Sequence, residues 1–187
     1  MRGVFRLCIG LQMLLAAGAI GEQHSPYVAY QTREIKALSE QDIAGYLSGA
    51  GIGYALAAEL NGYPGPKHVL ELTQELQLLP EQVQHTQAVY QRMHAEAVRL
   101  GEQIVARERE LEALFSHQQL TQDDLGQVLT ELGRLQGDLR FVHLRAHLEM
   151  QTMLSPQQVQ EYHRLRGYGA GDHHRHRHGH SHRPAAR

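Results

Sequence analysis

The sequence predicts an all-α protein built around a long antiparallel helical hairpin with short flanking helices. The chain is rich in Leu, Ala, Gln, Glu and Arg and contains no tryptophan, a composition that favours helices. Two long stretches carry apolar residues at the three-four spacing of a helical stripe. Only about five polar residues separate these stretches, which favours an antiparallel arrangement of the two helices.

The chain divides into four segments. At 187 residues it is long enough for one domain with a hydrophobic core, and two full-sized domains are a poorer prediction. We expect a signal peptide at 1–21, an N-terminal segment with short helices at 22–66, the helical hairpin domain at 67–166 and a disordered Gly/His-rich tail at 167–187.

The N-terminus has the pattern of a secretory signal peptide. Arg2 and Arg6 precede an apolar run at 7–20, and Ala17-Gly18-Ala19 provides a small-residue cleavage site. The run is shorter than the roughly 20 residues that cross a bilayer. A cleaved leader is therefore predicted, and retention of the leader as a membrane anchor is the alternative.

Cysteine content and charge restrict the possible chemistry. Cys8 is the only cysteine and lies within the leader, so the exported chain would have neither a disulfide nor a thiolate ligand. A transition metal would have to be held by His, Met, carboxylate or water. The formal net charge is −2, without the basic excess that phosphate binding requires, so a nucleic-acid partner is not expected.

The N-terminal segment is predicted to form two short helices. Ser39 and Asp42 have the spacing of a capping box. The glycines of "GAGIG" at 49–53 interrupt the pattern, and no apolar strand precedes them, so a hinge is favoured over a dinucleotide-binding loop. Pro64 and Pro66 then stop the second helix.

The hairpin domain is predicted to contain four helices. The first covers residue 67 to about 78, and the second begins at Pro80. Thr121 and Asp124 form a capping box for the third helix, which ends near Leu154; the last helix runs to about Leu165. The two long helices carry the apolar stripes Val83, Tyr90, Met93, Ala97, Leu100, Ile104, Leu111, Phe115 and Val128, Leu132, Leu135, Leu139, Val142, Ala146, Met153.

A similar heptapeptide occurs at each end of the predicted hairpin. "LLPEQVQ" occupies 78–84 and "LSPQQVQ" occupies 154–160. Each copy has an apolar residue, a cap position, a helix-starting proline and a glutamine in the first turn. The shared positions are Leu78, Pro80 and Gln82 in the first copy and Leu154, Ser155, Pro156 and Gln158 in the second.

These heptapeptides resemble the duplicated LTxxQ motif of the Spy/CpxP family of periplasmic proteins, whose relatives include the zinc-responsive ZraP and the nickel and cobalt sensor CnrX. The second copy matches through Leu154, Ser155 and Gln158, with serine in place of threonine. The first copy has Leu79 at the cap position, which departs from the motif. The resemblance covers Val69 to Arg166, about half of the chain.

The resemblance implies a curved, all-helical, non-enzymatic periplasmic stress protein, often a homodimer. Such proteins bind divalent metals in heavy-metal sensing, buffering or resistance, or protect unfolding client proteins without ATP. A retained leader would suit a sensor that signals to a membrane partner. For the client-binding alternative, the sequence offers apolar residues accompanied by Arg92, Arg99, Arg107 and Arg140.

Histidines inside the hairpin are the main candidate metal ligands. His143 and His147 lie four apart and project from one helix face, with Met150 nearly on that face one turn later. Each histidine follows a stripe residue, so we expect both to flank the seam without being buried in it. With the hairpin turn between Ser116 and Thr121, His94 falls roughly opposite His143.

This donor set suits zinc, nickel, cobalt or copper(II). Glu149 is a further candidate oxygen donor. The alternative is that these imidazoles merely line the seam of the hairpin. A metalloprotease HExxH motif is absent because Leu144, Arg145 and Ala146 separate the two histidines, and the sequence contains no other pattern that indicates an enzyme.

The C-terminal tail offers a second, looser set of imidazoles. Neutral imidazoles at this density bind borderline-soft divalent ions in several geometries, so we expect a metal reservoir. The alternative is a charged tail that improves solubility. The tail histidines are His173, His174, His176, His178, His180 and His182.

Overall fold

The computed structural model describes residues 25–118 and 120–168, in which all regular secondary structure is helical and no strand occurs. A single 3-10 turn at Val28–Tyr30 precedes the helices. They are α1 (Glu40–Leu47), α2 (Leu56–Glu59), α3 (Pro66–Glu71), α4 (Pro80–Ser116), α5 (Gln122–Met153) and α6 (Pro156–Arg166). The predicted all-α fold class is confirmed for this part of the chain. The leader and the His-rich tail lie outside the described residues.

The predicted helix starts at α1 and α5 are confirmed. The Ser39 hydroxyl accepts the Asp42 N–H, and the Asp42 carboxylate accepts the Ser39 N–H. Thr121 and Asp124 repeat this reciprocal pair at α5. Each box satisfies two backbone donors that the first helical turn leaves free.

Helices α4 and α5 pack together along the apolar stripes predicted for them. Met93, Ala97, Leu100 and Ile104 are buried in α4. Phe115 was expected to continue the α4 stripe but is 57% exposed, so the buried face ends before the last turn of the helix. The α5 side of the core is Val128, Leu132, Leu135, Leu139, Val142 and Ala146.

Ion pairs link the first half of α4 to the second half of α5. Arg92 Nη2 lies 2.5 Å from Glu149 Oε2, and Arg145 Nη2 lies 3.0 Å from Glu96 Oε2. These pairs are partly exposed, so each contributes only up to about 1 kcal/mol. They show which turns of the two helices lie side by side, and these turns include His94 and His143.

The two heptapeptides meet in space. The side-chain amides of Gln82 and Gln158 bond reciprocally, Nε2 to Oε1 at 3.0 Å in both directions. The Ser155 hydroxyl accepts the Gln158 N–H, which completes a capping box at α6. In the first copy the Leu79 N–H donates to Gln82 Oε1 at 3.0 Å, but Leu79 has no side-chain acceptor to complete the box. The departure from the motif therefore removes one capping bond and leaves the start of α4 in place.

The helix predicted from residue 67 to about 78 is wrong in length. Helix α3 ends at Glu71, and turns follow it. The Thr73 hydroxyl donates to the Leu70 carbonyl at 2.7 Å, a local bond that competes with helix continuation. Gln77 then adopts a φ of 49°, in the left-handed region, where the chain reverses into α4.

The N-terminal segment covers one side of the long helices. Helix α1 packs against α4 at Gly101, where an added Cβ would lie 2.1 Å from the Tyr46 carbonyl oxygen. Lys36 pairs with Glu112, and Arg109 Nε lies 2.5 Å from Glu34 Oε1. Within the described ranges, no helix combines the length and apolar character needed to cross a membrane.

Candidate metal centre

A pocket of about 540 Å³ lies where the N-terminal segment meets α4 and α5. The "GAGIG" loop and the start of α3 form one wall, and the long helices form the other. His94, His143 and His147 all line this pocket. The structure therefore brings the three predicted ligands to one cavity.

His143 lies deep in the pocket wall and is only 4% exposed. Its Nε2 is buried and has no hydrogen-bond partner. Burial lowers the pKa of His143, and the neighbouring His147 and His94 lower it further. A neutral imidazole with an unpartnered nitrogen can act as a donor to a metal ion.

The expectation that His143 and His147 flank the seam without being buried was wrong. His147 is 6% exposed. The prediction considered only the two long helices, but the segment that contains Gly51 and Gly65 covers this face of α5. Glycines allow that close approach, since a Cβ at Gly65 would lie 2.9 Å from His147 Cε1.

His147 is held in a defined orientation. Its Nδ1 lies 2.7 Å from the Tyr63 carbonyl oxygen, which can only accept, so in the neutral form of the ring Nδ1 carries the proton and Nε2 has the lone pair. A backbone carbonyl that fixes the tautomer in this way is a common partner of metal-binding histidines. His147 can therefore offer Nε2 to the pocket.

His94 is half-buried on α4 and bonds to the opposite wall. Its Nε2 lies 3.1 Å from the Ser48 carbonyl oxygen, so Nε2 donates, and in the neutral form of the ring Nδ1 has the lone pair. Tyr90 lies one turn earlier, with its ring centroid 5.7 Å from that of His94.

In the described part of the chain, no three His, Cys, Asp or Glu side chains are already grouped closely enough to share an ion.

The structure places the predicted Met150 in the hydrophobic core. Met150 is fully buried there and is not part of the pocket wall. The thioether in the wall belongs to Met93, a stripe residue one position before His94. Glu149 faces Arg92 and Arg145.

Glu59 is a site residue that the sequence analysis missed. Its side chain is buried, and Oε1 accepts hydrogen bonds from the Tyr162 hydroxyl at 2.6 Å, the Tyr168 hydroxyl at 3.0 Å and Arg166 Nε at 3.3 Å. Oε2 is buried without a partner and lies 3.8 Å from His147 Nδ1. The signal in the sequence was a lone acid in the apolar stretch "LAAEL", because an acid at such a position is rarely left unpaired.

The pocket therefore contains two buried side chains that each have an unpartnered polar atom, His143 Nε2 and Glu59 Oε2. Such atoms are uncommon in folded proteins, and an ion is one explanation for them. Two imidazoles and a carboxylate form a donor set that zinc and its neighbours accept. The six tail histidines, His173 to His182, lie outside the described residues.

Comparison with protein-family models, with curated proteins and with solved structures gave no match for this chain. Membership of the Spy/CpxP family therefore stays a prediction from the two heptapeptides. The function has to be inferred from the geometry of the pocket.

Proposed function

We propose that this protein is a non-enzymatic, exported metal-binding protein that takes up a divalent transition metal in the pocket around His143 and His147. The observation that carries the proposal is the pair of unpartnered buried atoms, His143 Nε2 and Glu59 Oε2, in the wall of one cavity. Leaving a buried polar group unsatisfied is unfavourable by about 1–3 kcal/mol. A bound cation would remove that penalty at both atoms.

The proposed ligands are His143, His147 and Glu59, with His94 as a fourth. The two α5 imidazoles lie one turn apart, and Nε2 of each is free to coordinate. Met93 supplies the thioether that lines the pocket, whereas Met150 lies in the hydrophobic core and could reach the ion only if the core rearranged. A set of nitrogens and an oxygen without thiolate suits zinc, nickel, cobalt or copper(II).

Binding would draw these donors together. His94 is held by Ser48, and His147 by Tyr63. In each ring the other nitrogen can coordinate a metal ion, so neither hydrogen bond has to break when an ion binds. His143 Nε2 and Glu59 Oε2 have no competing hydrogen-bond partner, so these two side chains would have to rotate towards the ion to complete the coordination.

We further propose that this site belongs to a curved antiparallel hairpin of the Spy/CpxP type, which is located in the periplasm and assembles as a homodimer. The His-rich tail would serve as a metal reservoir. Cleavage of the leader would give a free buffering or resistance protein, and retention would give a tethered sensor. The mass of the exported protein distinguishes these two forms.

Isothermal titration with zinc, cobalt, nickel and copper(II) tests the pocket. The protein to titrate is the full-length chain in which the six tail histidines are replaced by Asn, so that any remaining site lies elsewhere. We expect one site that the double substitution His143→Ala, His147→Ala abolishes. The matched control His85→Ala changes an exposed histidine outside the pocket and should leave binding intact. Absence of binding in the tail-substituted chain, or survival of binding in the double variant, would refute the pocket.

An ATP-independent chaperone that binds unfolding client proteins is the second candidate. Phe141 and Leu148 lie seven residues apart on α5 and are 59% and 57% exposed, so they form an apolar strip on one helix face. Arg145 lies beside the strip, with its guanidinium 5.4 Å from the Phe141 ring centroid. An exposed apolar strip of this kind is the surface that client binding requires.

An aggregation assay in the presence of a chelator separates the two candidates. A chemically unfolded client is diluted into buffer with a stoichiometric amount of this protein. Suppression of aggregation that is lost in Phe141→Ser, Leu148→Ser but kept in the pocket double variant supports the chaperone. If the unsubstituted chain does not suppress aggregation, the chaperone proposal is wrong.

A further inference from the structure

The pocket is much larger than a single metal ion requires. Its volume is about 540 Å³, whereas a water molecule takes up about 30 Å³ in the liquid, and a divalent transition-metal ion is no larger than a water molecule. Sites for small molecules typically measure about 300–1,000 Å³. The pocket therefore has the size of a small-molecule site, and an ion held by His143 and His147 would fill only a small part of it.

The candidate donors are spread around this volume. An added Cβ at Gly65 would lie 3.2 Å from His147 Nε2 and 3.4 Å from Glu59 Oε2, so these two donors belong to one part of the wall. The His94 ring lies instead beside Gly49, at the start of the "GAGIG" loop. A metal ion held by only some of these donors has further coordination positions, which another ligand can occupy. A chelator that arrives with the ion would supply that ligand and would occupy the remaining space.

The formal charge of the pocket wall favours an anion. Lys67 and Arg166 line the pocket, and Glu59 is the only acid among the described residues that line it. Two cations and one carboxylate leave a net positive charge while the histidines are neutral. A bare divalent cation would be repelled by this charge, whereas the complex of such an ion with a polycarboxylate is an anion and would be attracted.

The two cations approach the pocket from different helices. Arg166 ends α6, and its guanidinium is held in the wall because Nε donates to Glu59 Oε1 at 3.3 Å and Nη2 donates to the Tyr168 hydroxyl at 3.2 Å. Lys67 is exposed in the first turn of α3. Its ammonium is a point charge on a flexible stem, so it can adjust to a carboxylate group in the open part of the pocket.

We infer that the pocket takes up the metal as a complex with a small polycarboxylate chelator, because the pocket far exceeds the size of an ion and its wall carries a net positive charge. This inference rests on the proposed metal-binding function. Neutral His143 and His147 replace water molecules on the metal, and the chelator stays bound, with a carboxylate that does not touch the metal facing Lys67. The metal keeps its oxidation state, and the exchange releases no proton.

Equilibrium dialysis with Ni²⁺ and radiolabelled citrate tests the inference. The tail-substituted chain is dialysed against Ni²⁺ alone, against citrate alone and against both in equal amounts, and the retained nickel and the retained label are measured. We expect citrate to be retained only when Ni²⁺ is present, and then one citrate for each nickel ion. The double substitution His143→Ala, His147→Ala should abolish the retention of both.

Lys67→Gln separates binding of the chelator from binding of the ion. Lys67 is not a proposed metal ligand, so the variant should retain Ni²⁺ supplied alone as well as its parent does. It should bind the nickel–citrate complex about 5- to 10-fold more weakly, because a hydrogen bond between charged groups is lost. Lys36→Gln is the matched control, since Lys36 is the other lysine of the chain and pairs with Glu112 outside the pocket; it should change neither affinity. Equal binding of the complex by the Lys67 and Lys36 variants would overturn the inference.

The two levels of inference fail differently. If nickel is retained neither alone nor with citrate, the proposed function itself is wrong and the inference falls with it. If nickel supplied alone is retained and citrate is not, the metal site stands and only uptake as a complex is refuted. Equal retention of citrate with and without nickel would also refute uptake as a complex, because the carboxylates would then bind independently of the metal.

Discussion

Tyr162 donates its hydroxyl hydrogen bond to Glu59 at 2.6 Å, across 103 residues of sequence. The Tyr162 side chain is fully buried, and its hydroxyl also accepts the N–H of Gly65 at 3.3 Å. Burial and the bond to Glu59 both raise the pKa of Tyr162, so the hydroxyl stays protonated and remains a donor. This contact connects α6, the acid of the pocket and the start of α3.

Replacing Tyr162 with Phe should destabilise the fold. The ring still fills its space, but Glu59 Oε1 loses its shortest hydrogen bond and the Gly65 N–H loses its acceptor. Leaving a buried polar group without its hydrogen-bond partner is unfavourable by about 1–3 kcal/mol. Urea unfolding followed by circular dichroism measures the difference. Tyr27→Phe, at an exposed site, is the control and should change the free energy of unfolding by less than about 0.5 kcal/mol.

Acidification should destabilise the metal-free protein through His143. Its pKa is lowered in the folded state, chiefly by burial and then by His147 on its own helix and His94 on α4. Below the unfolded pKa of about 6.5, the unfolded chain binds the proton more readily than the folded one. The free energy of unfolding therefore decreases as the pH is lowered. The loss begins near that value and is complete once the pH is below the lowered folded pKa.

Unfolding free energies measured against pH, with a chelator present, check this sign. His143→Leu should reduce the dependence of the unfolding free energy on pH below pH 7, since leucine cannot bind a proton at this position. His85→Leu, at an exposed position, should leave the slope unchanged. A slope in His143→Leu equal to that of the unsubstituted chain would contradict the prediction.

The parts of the fold that local chemistry determines were predictable. Ser39 and Thr121 each precede a helix with an acid three residues later, and the apolar stripes of α4 and α5 specify which faces pack. The meeting of His94 and His143 in one cavity also follows from helix periodicity and the position of the turn between the long helices.

The burial of His143 and His147 was not predictable in this way, because it depends on where the segment around Gly51 and Gly65 packs. That contact is set by tertiary packing and leaves no periodic pattern in the sequence. Glu59 escaped notice for the same reason. Its three partners lie more than 100 residues away, in α6 and just beyond it, and no spacing rule connects them. Met150 was wrongly predicted as a metal ligand because helix periodicity gives the direction of a side chain. It does not show whether that side chain points into the core or into a cavity.

Gly65→Ala should weaken metal binding. Its φ of −88° and ψ of 140° suit alanine, so the backbone can accept the change. The new methyl group would lie 2.9 Å from Cε1 and 3.2 Å from Nε2 of His147, and the ring would have to turn away. Displacing a metal-binding histidine by altering its surroundings commonly reduces affinity by about 10- to 100-fold.

Titration of the tail-substituted chain with zinc measures this effect. Gly51→Ala is a matched control in the same pocket wall, because its methyl group would lie 3.9 Å from the His143 ring, an ordinary contact. We expect Gly51→Ala to keep the affinity. Equal affinities of the two variants would show that His147 Nε2 is not a ligand.

Gly101→Ala should be the most destabilising of the glycine substitutions, because it separates α1 from α4. The added Cβ would lie 2.1 Å from the Tyr46 carbonyl oxygen and 2.7 Å from its carbonyl carbon, and backbone atoms of a packed helix cannot move aside as a side chain can. Overpacking of this kind typically destabilises by about 1–3 kcal/mol or more. Gly133→Ala is the matched control in α5, where an added Cβ has open space; there the better helix propensity of alanine should stabilise by up to about 1 kcal/mol. Thermal unfolding of the two variants should therefore shift in opposite directions, and a shift in the same direction would mean that α1 does not pack against Gly101.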